Sequence, residues 1–180
     1  MTYTDIINYW FSEKSQKHWF NSTPEIDAEI KEKFEDLWRN ATFGELDFWQ
    51  ETPEGSLALI IVLDQLPLNM FRGQAKSFQT EQKAIEVTLK AIDNGFDKRL
   101  SREKLSFLLM SLMHSEKLEE QELSVKLFRV HNLADNLSYA EHHRNLIREF
   151  GRFPHRNVLL GRENTKEEIE YLASKRAFMG

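Results

Sequence analysis

"STPEIDAEIKEKFEDLW", running from Ser22 to Trp38, decides the fold class. A hydroxyl side chain ahead of a proline marks a helix start. The hydroxyl accepts from an orphaned N–H of the first turn, where proline's missing N–H costs nothing. Ile26, Ile30, Phe34, Leu37 and Trp38 then fall on one face of a 3.6-residue repeat, with acids and lysines on the other. The stretch therefore reads as a capped amphipathic helix that needs a core to pack against.

The same grammar extends outward in both directions. An N-terminal helix is expected near Thr4–Phe11. Thr52-Pro53 repeats the start signal ahead of "GSLALIIVLDQ" (Gly55–Gln65), which is apolar on every side and so reads as a buried helix ending at Pro67. A helix from about Thr80 stops near Gly95, and Ser101 opens another through Met113. "EKLEEQELSVKLF" (Glu116–Phe128) is a further helix, followed by one from Ser138 to Phe150 that Gly151 closes. The capping box Thr165-Lys166-Glu167-Glu168 opens the last. No hairpin or strand signal interrupts this order. The expected fold is all-α, about eight antiparallel helices with short connections in a single domain over residues 1–180.

Composition narrows the function classes. The chain has 180 residues, enough to bury roughly 70% of its unfolded surface without a metal or disulfide staple. It has no cysteine, which removes thiol nucleophiles and cysteine-bound metals and fits the reducing cytoplasm. Its longest apolar run, Leu57 to Leu63, is far short of the ~20 residues that span a bilayer, and no signal peptide opens the chain. The net charge of −5 argues against nucleic acid as a general partner. Phosphate-loop, dinucleotide, nucleophile-elbow and zinc-protease motifs are absent, as are the Glu-x-x-His pairs of di-iron bundles. His114-Ser115-Glu116 has the spacing of a zinc deaminase but lacks the cysteines. No metal or cofactor is expected.

One segment runs against the charge balance. Arg144, Arg148, Arg152, Arg156 and Arg162 face a single intervening acid, Glu149. At its centre lies "FGRFPHRN", Phe150 to Asn157. Phe150 and Phe153 read as core anchors, Gly151 as a left-handed helix stop and Pro154 as a stiffener. That leaves Arg152, His155, Arg156 and Asn157 to project from a rigid turn. Guanidinium forks match carboxylates and phosphates, so the cluster is either an anion site or a set of ties to the protein's own acids. Asp64 and Gln65 end the apolar helix, where a buried carboxylate needs a cationic partner. Arg72 or the arginines from Arg152 to Arg162 are the candidates. His143 falls on an apolar stripe with Tyr139, Leu146, Ile147 and Phe150, as a core histidine would, while His142 is rotated away. His114 and Glu116 mark a helix break, with Ser115 as a possible cap. Trp10, Phe11, Trp19 and Phe20 are most simply core.

"LDQLPLNMFR" (Leu63–Arg72), "MHSEKLEEQELSVKLF" (Met113–Phe128) and "HRNLIREFGRFPHRNVLLGRENTKEEIEYL" (His143–Leu172) resemble domain-of-unknown-function family 924. The resemblance covers nearly the full chain. It implies a bacterial protein with a tetratricopeptide-like α-α superhelical fold and no assigned activity. It also implies signature polar positions: Asp64, Gln65, Asn69 and Arg72; His114, Ser115, Glu116 and Gln121; and His143, Arg152, His155, Arg156, Asn157 and Arg162. Leu68 and Ser111 depart from the pattern, where arginine and proline are common. These features together suggest a helical binding module with an Arg/His-lined cleft for an anionic small molecule or an acidic peptide segment. The alternative is a small cofactor-independent enzyme using His, Glu and Asp for acid–base chemistry at the same cleft.

Overall fold

The computed structural model describes residues 1–178, and among them there is no strand. The chain divides into two compact units, Met1–Leu112 and Met113–Gly180.

The N-terminal unit begins with α1 (Tyr3–Trp10) and the single turn α2 (Glu13–Gln16), which Ser12 caps by accepting from the Ser15 N–H. The opening stretch forms α3 (Pro24–Thr42) as expected: Thr23 caps it by accepting from the Ile26 N–H, and Pro24 sits in the first turn. Ile30, Phe34, Leu37 and Trp38 are buried along it. Thr52 caps α4 (Pro53–Ile60) by accepting from the Gly55 N–H. A Cβ at residue 55 would lie 2.1 Å from the Trp49 carbonyl oxygen, so only glycine fits that turn.

The apolar helix does not end at Pro67. It passes through a π-helical turn, Ile61–Gln65, into α5 (Leu66–Met70). Proline removes one N–H and pushes its ring at the carbonyl four residues earlier, here that of Leu63. Widening the helix by one residue per turn relieves the clash, with Leu66 N–H donating to Ile61 O instead. The freed Leu63 carbonyl accepts from the Thr80 hydroxyl at 2.5 Å, and Thr80 Oγ1 accepts in turn from Trp38 Nε1 at 2.9 Å. All three groups are buried, so the proline is accommodated by a relay reaching into α3 and the start of α6. The helices α6 (Glu81–Asp93) and α7 (Arg102–His114) follow, the unit boundary falling after Leu112. Ser111, fully buried, meets Thr88 Oγ1 at 2.7 Å.

In the C-terminal unit α8 (Leu118–Val130) packs against α9 (Ala134–Phe150). The latter starts a turn before the expected Ser138. Gly151 stops α9 at φ +70°, the left-handed conformation that a side chain would penalise. The capping box at Thr165 opens α10 (Lys166–Leu172) as its sequence requires. Leu146, Ile147, Phe153 and Tyr171 form one core cluster, with Phe150, Leu172 and Phe178 packed against it. Tyr139, assigned to the apolar stripe by periodicity, is instead 62% exposed, because the buried face of α9 runs through Ala140, His143, Leu146 and Ile147.

Candidate functional site

The FGRFPHRN turn is built as its sequence dictates, but its polar residues are used inward. Phe153 is fully buried, Pro154 is buried, and Phe150 is half-buried against Tyr171 with ring centres 5.0 Å apart. Pro154–Arg156 form one 3-10 turn. The free Phe153 N–H donates to Glu116 Oε1 at 2.8 Å, and Arg162 grips the same carboxylate with Nη1 and Nη2 at 2.6 and 2.9 Å. Burial alone would raise the Glu116 pKa. The Arg162 bonds, the Phe153 amide and the charge of Arg156 outweigh it and hold the carboxyl below its ordinary range.

The expectation that Arg152, Arg156 and Asn157 project outward is corrected. Arg152 donates Nε and Nη2 to the two oxygens of Glu168 at 2.7 and 2.8 Å, and Nη2 also to Glu163 O. Glu168 is 2% exposed, and its Oε2 accepts from the Thr165 N–H at 2.7 Å to complete the capping box. The Arg152 guanidinium, with help from Thr165 and Asn157, holds the Glu168 carboxyl down to about 2 against the opposing effect of burial. Asn157 is fully buried, donating to Asn164 Oδ1 at 2.7 Å. Arg156 is 5% exposed and lies over the Phe153 ring, 4.7 Å from its centre. Arg144 and Arg148, one turn apart on α9, both meet Glu122 of α8. Four of the five clustered arginines thus tie this unit together through its own acids. Their abundance in a chain of net −5 is explained by partners distant in sequence.

The histidines gather around Phe153. His143 is 8% exposed, and its Nδ1–H donates to the Tyr139 carbonyl at 2.7 Å, which leaves Nε2 as the bare ring nitrogen. Its ring lies 5.6 Å from that of Phe153 and 4.7 Å from that of Phe178. His155 sits 5.6 Å from Phe153 and 5.1 Å from Phe178, and its buried Nδ1 has no hydrogen-bond partner. Burial pushes His143 down to about 4, with the Tyr139 bond opposing and His114, His142 and Arg156 adding to the fall. His155 is also pushed to about 4, by burial first and then by Arg156, against the pull of Glu116. His114 at the end of α7 bears electrostatically on both rings. Both imidazoles are therefore neutral at pH 7, in a positive field. Gln121, fully buried, spends its amide donor on the carbonyls of Met113 and Ser115, closing the end of α7. Ser115 does not cap α8 as expected: the N-cap is Lys117, and Ser115 Oγ accepts from the Lys117 N–H at 3.0 Å in the turn ahead of the helix.

The remaining candidates lie in the N-terminal unit. Asp64 is 3% exposed, as its apolar surroundings require, but it sits inside the π-helical turn and not at a helix end. Its Oδ2 accepts from Gln65 Nε2 at 2.6 Å. Arg72 is committed elsewhere: Nε donates to Asp27 Oδ2 at 2.6 Å, and Asn69 and Ser22 add donors to the same carboxylate at 2.7 and 2.8 Å. Burial works to raise the Asp27 pKa, and these three donors bring it below the ordinary range.

The family model for a bacterial protein of unknown function, DUF924, matches residues 6–176. The chain belongs to that family. A solved structure of a protein of unknown function from Agrobacterium tumefaciens is similar to this DUF924 chain at 35% identity, with a TM-score of 0.87, covering 95% of this chain and 96% of that one. No protein of curated function matches it. Among the described residues no helix is long and apolar enough to cross a membrane.

Sequence reasoning missed several residues that organise this DUF924 chain. Glu168 was legible only as a helix cap, yet it also anchors Arg152. Asp27 lies on the first turn of α3, where acids are common for helix-dipole reasons alone, so nothing marked it as the receiver of Arg72. Phe178, near the C-terminal end, carries no periodic signal but packs against three imidazole rings, those of His142, His143 and His155.

Proposed function

We propose that this chain is a helical binding module of tetratricopeptide-like type. Its C-terminal unit would take an anionic small molecule or an acidic peptide end beside His155, with His143, His114 and Arg156 around it. The observation that carries the reading is the buried Nδ1 of His155, a ring nitrogen with no partner in the fold, set in the positive field of Arg156. An anion placed there cancels that field and favours the imidazolium, which then donates to it. The cysteine-free sequence supports a cytoplasmic setting. The enzymatic alternative gains less. General acid–base catalysis works best with a pKa near the operating pH, whereas His143 and His155 lie near 4 and Glu116 is held ionised by Arg162.

The test is calorimetric titration with pyrophosphate and with citrate at pH 7 in two buffers of different ionisation heat. Binding should take up protons, tighten as pH falls toward 5, and weaken about tenfold or more in His155→Gln. If the intact protein binds neither anion, or binds with no proton uptake, the reading fails.

A further inference from the structure

His143 and His155 belong to a closed quartet of rings. Each packs against both Phe153 and Phe178: His143 at 5.6 and 4.7 Å between ring centres, His155 at 5.6 and 5.1 Å. Phe178 meets the two imidazoles at 67° and 85°, the edge-to-face packing that aromatic pairs favour. The two phenylalanines differ in their settings. Phe153 has no exposed surface and is fixed in the rigid turn, where its N–H donates to Glu116. Phe178 is half-buried, and its ring also meets the exposed His142 at 5.8 Å. Phe153 is thus the floor of the quartet and Phe178 its solvent side.

The hold on Phe178 is light. Past the end of α10 the chain is shaped by short-range bonds: Ser174 N–H to Tyr171 O, Arg176 N–H to Ser174 Oγ and Ala177 N–H to Ser174 O. Lys175 and Arg176 stand exposed between them. The Phe178 N–H then donates to the Tyr171 hydroxyl at 2.8 Å, and Tyr171, at 4% exposure, is a fixed post. Among the described residues, this bond and the ring contacts are what hold Phe178. A segment secured by so few contacts opens at far lower free energy than the core beneath it.

We propose that Phe178 is a displaceable cover, whose ring must swing off His143 and His155 before a solute reaches either imidazole. The proposal rests on the anion reading above for the identity of that solute, while the cover itself follows from the quartet. A phenyl ring offers no hydrogen bond to the unpartnered Nδ1 of His155. Seating Phe178 therefore buries a ring but leaves that nitrogen unsatisfied, and lifting it lets water or an anion supply the missing bond. The two effects oppose each other, which keeps the seated and lifted states close in free energy. Burial, the first cause lowering both histidines to about 4, belongs to the seated state. The apparent affinity for the anion is then the intrinsic affinity reduced by the fraction of molecules with the cover lifted.

The experiment treats the full chain at pH 7 with diethyl pyrocarbonate, which acylates neutral imidazole wherever solvent reaches it. Peptide mass spectrometry reads the rate at each histidine. In Phe178→Ala the His143 and His155 rates should rise about tenfold, while that of half-exposed His18 in the N-terminal unit stays the same. Pyrophosphate affinity, from calorimetry, should rise by the same factor, because reagent and anion both reach only the lifted fraction. Should Phe178→Ala fail to fold, Tyr171→Phe decides. It keeps the ring against Phe150, removes the hydroxyl that accepts from Phe178, and should speed acylation of both histidines about threefold. Faster acylation with no pyrophosphate binding in either protein upholds the cover and refutes the anion reading alone. Unchanged acylation overturns the cover. Weaker pyrophosphate binding in Phe178→Ala overturns it too, since Phe178 would then be part of the site and not an obstacle to it.

Discussion

Replacing Glu168 by glutamine keeps the side chain's shape and removes its charge from a group that is 2% exposed and receives two Arg152 bonds and one from Thr165. The carboxyl titrates near 2 in the folded chain against 4.5 for an unperturbed glutamate. That gap of roughly two and a half pH units corresponds to about 3 kcal/mol of folding stability. Because the folded pKa is depressed, this stability is fully present above the unfolded pKa and is lost as pH falls through the folded one. Glu168→Gln should therefore cost roughly 3 kcal/mol at pH 7, within the range for breaking a buried ion pair by removing one partner. Its deficit relative to the wild type should shrink between about pH 4.5 and pH 2. Urea unfolding followed by far-ultraviolet circular dichroism at a series of pH values measures both. A loss under ~0.5 kcal/mol at pH 7, the size of an ordinary surface substitution, would refute the reasoning. So would a deficit that does not change with pH.

Thr80→Val leaves the Leu63 carbonyl and the Trp38 indole N–H buried without their shared partner, so it should cost about 2–3 kcal/mol in thermal or urea unfolding. Pro67→Ala in the same background restores a backbone N–H and should recover part of that loss; no recovery counts against the relay. His143 is buried neutral with its pKa lowered to about 4, so the unfolded chain binds its proton first as pH falls from 6.5. Stability should therefore decline between pH 6.5 and 4, His143 contributing roughly 3 kcal/mol of the fall. His143→Gln, which can still donate to Tyr139 O, should show a shallower decline, and an unchanged slope would contradict the burial argument.

The helices and their ends were decided by local chemistry, and local chemistry is what a sequence displays. Thr23, Thr52 and Thr165 cap the helices they precede because a hydroxyl two or three residues from an orphaned N–H has no better partner. Gly151 stops α9 because its conformation is one that other residues resist. Burial of His143 followed from periodicity, that of Asp64 from an apolar run without a polar face, and that of Phe153 from its place just beyond the helix stop. Where periodicity was the only guide it erred by a turn, as at the start of α9 and at Tyr139, since it gives the angle of a face and not the neighbour that covers it. What the arginines do was not local at all. Arg152 with Glu168, Arg162 with Glu116 and Arg72 with Asp27 span 16, 46 and 45 positions, and nothing in a charge pattern says which acid a guanidinium will meet. The path of the chain through Pro67 was equally hidden. Whether a proline ends a helix or is absorbed by a π-helical turn depends on a donor for the freed carbonyl, and that donor, Thr80, lies 17 residues away. Sequence settled which groups must be satisfied; only the tertiary structure, by bringing distant partners within 3 Å, decided how.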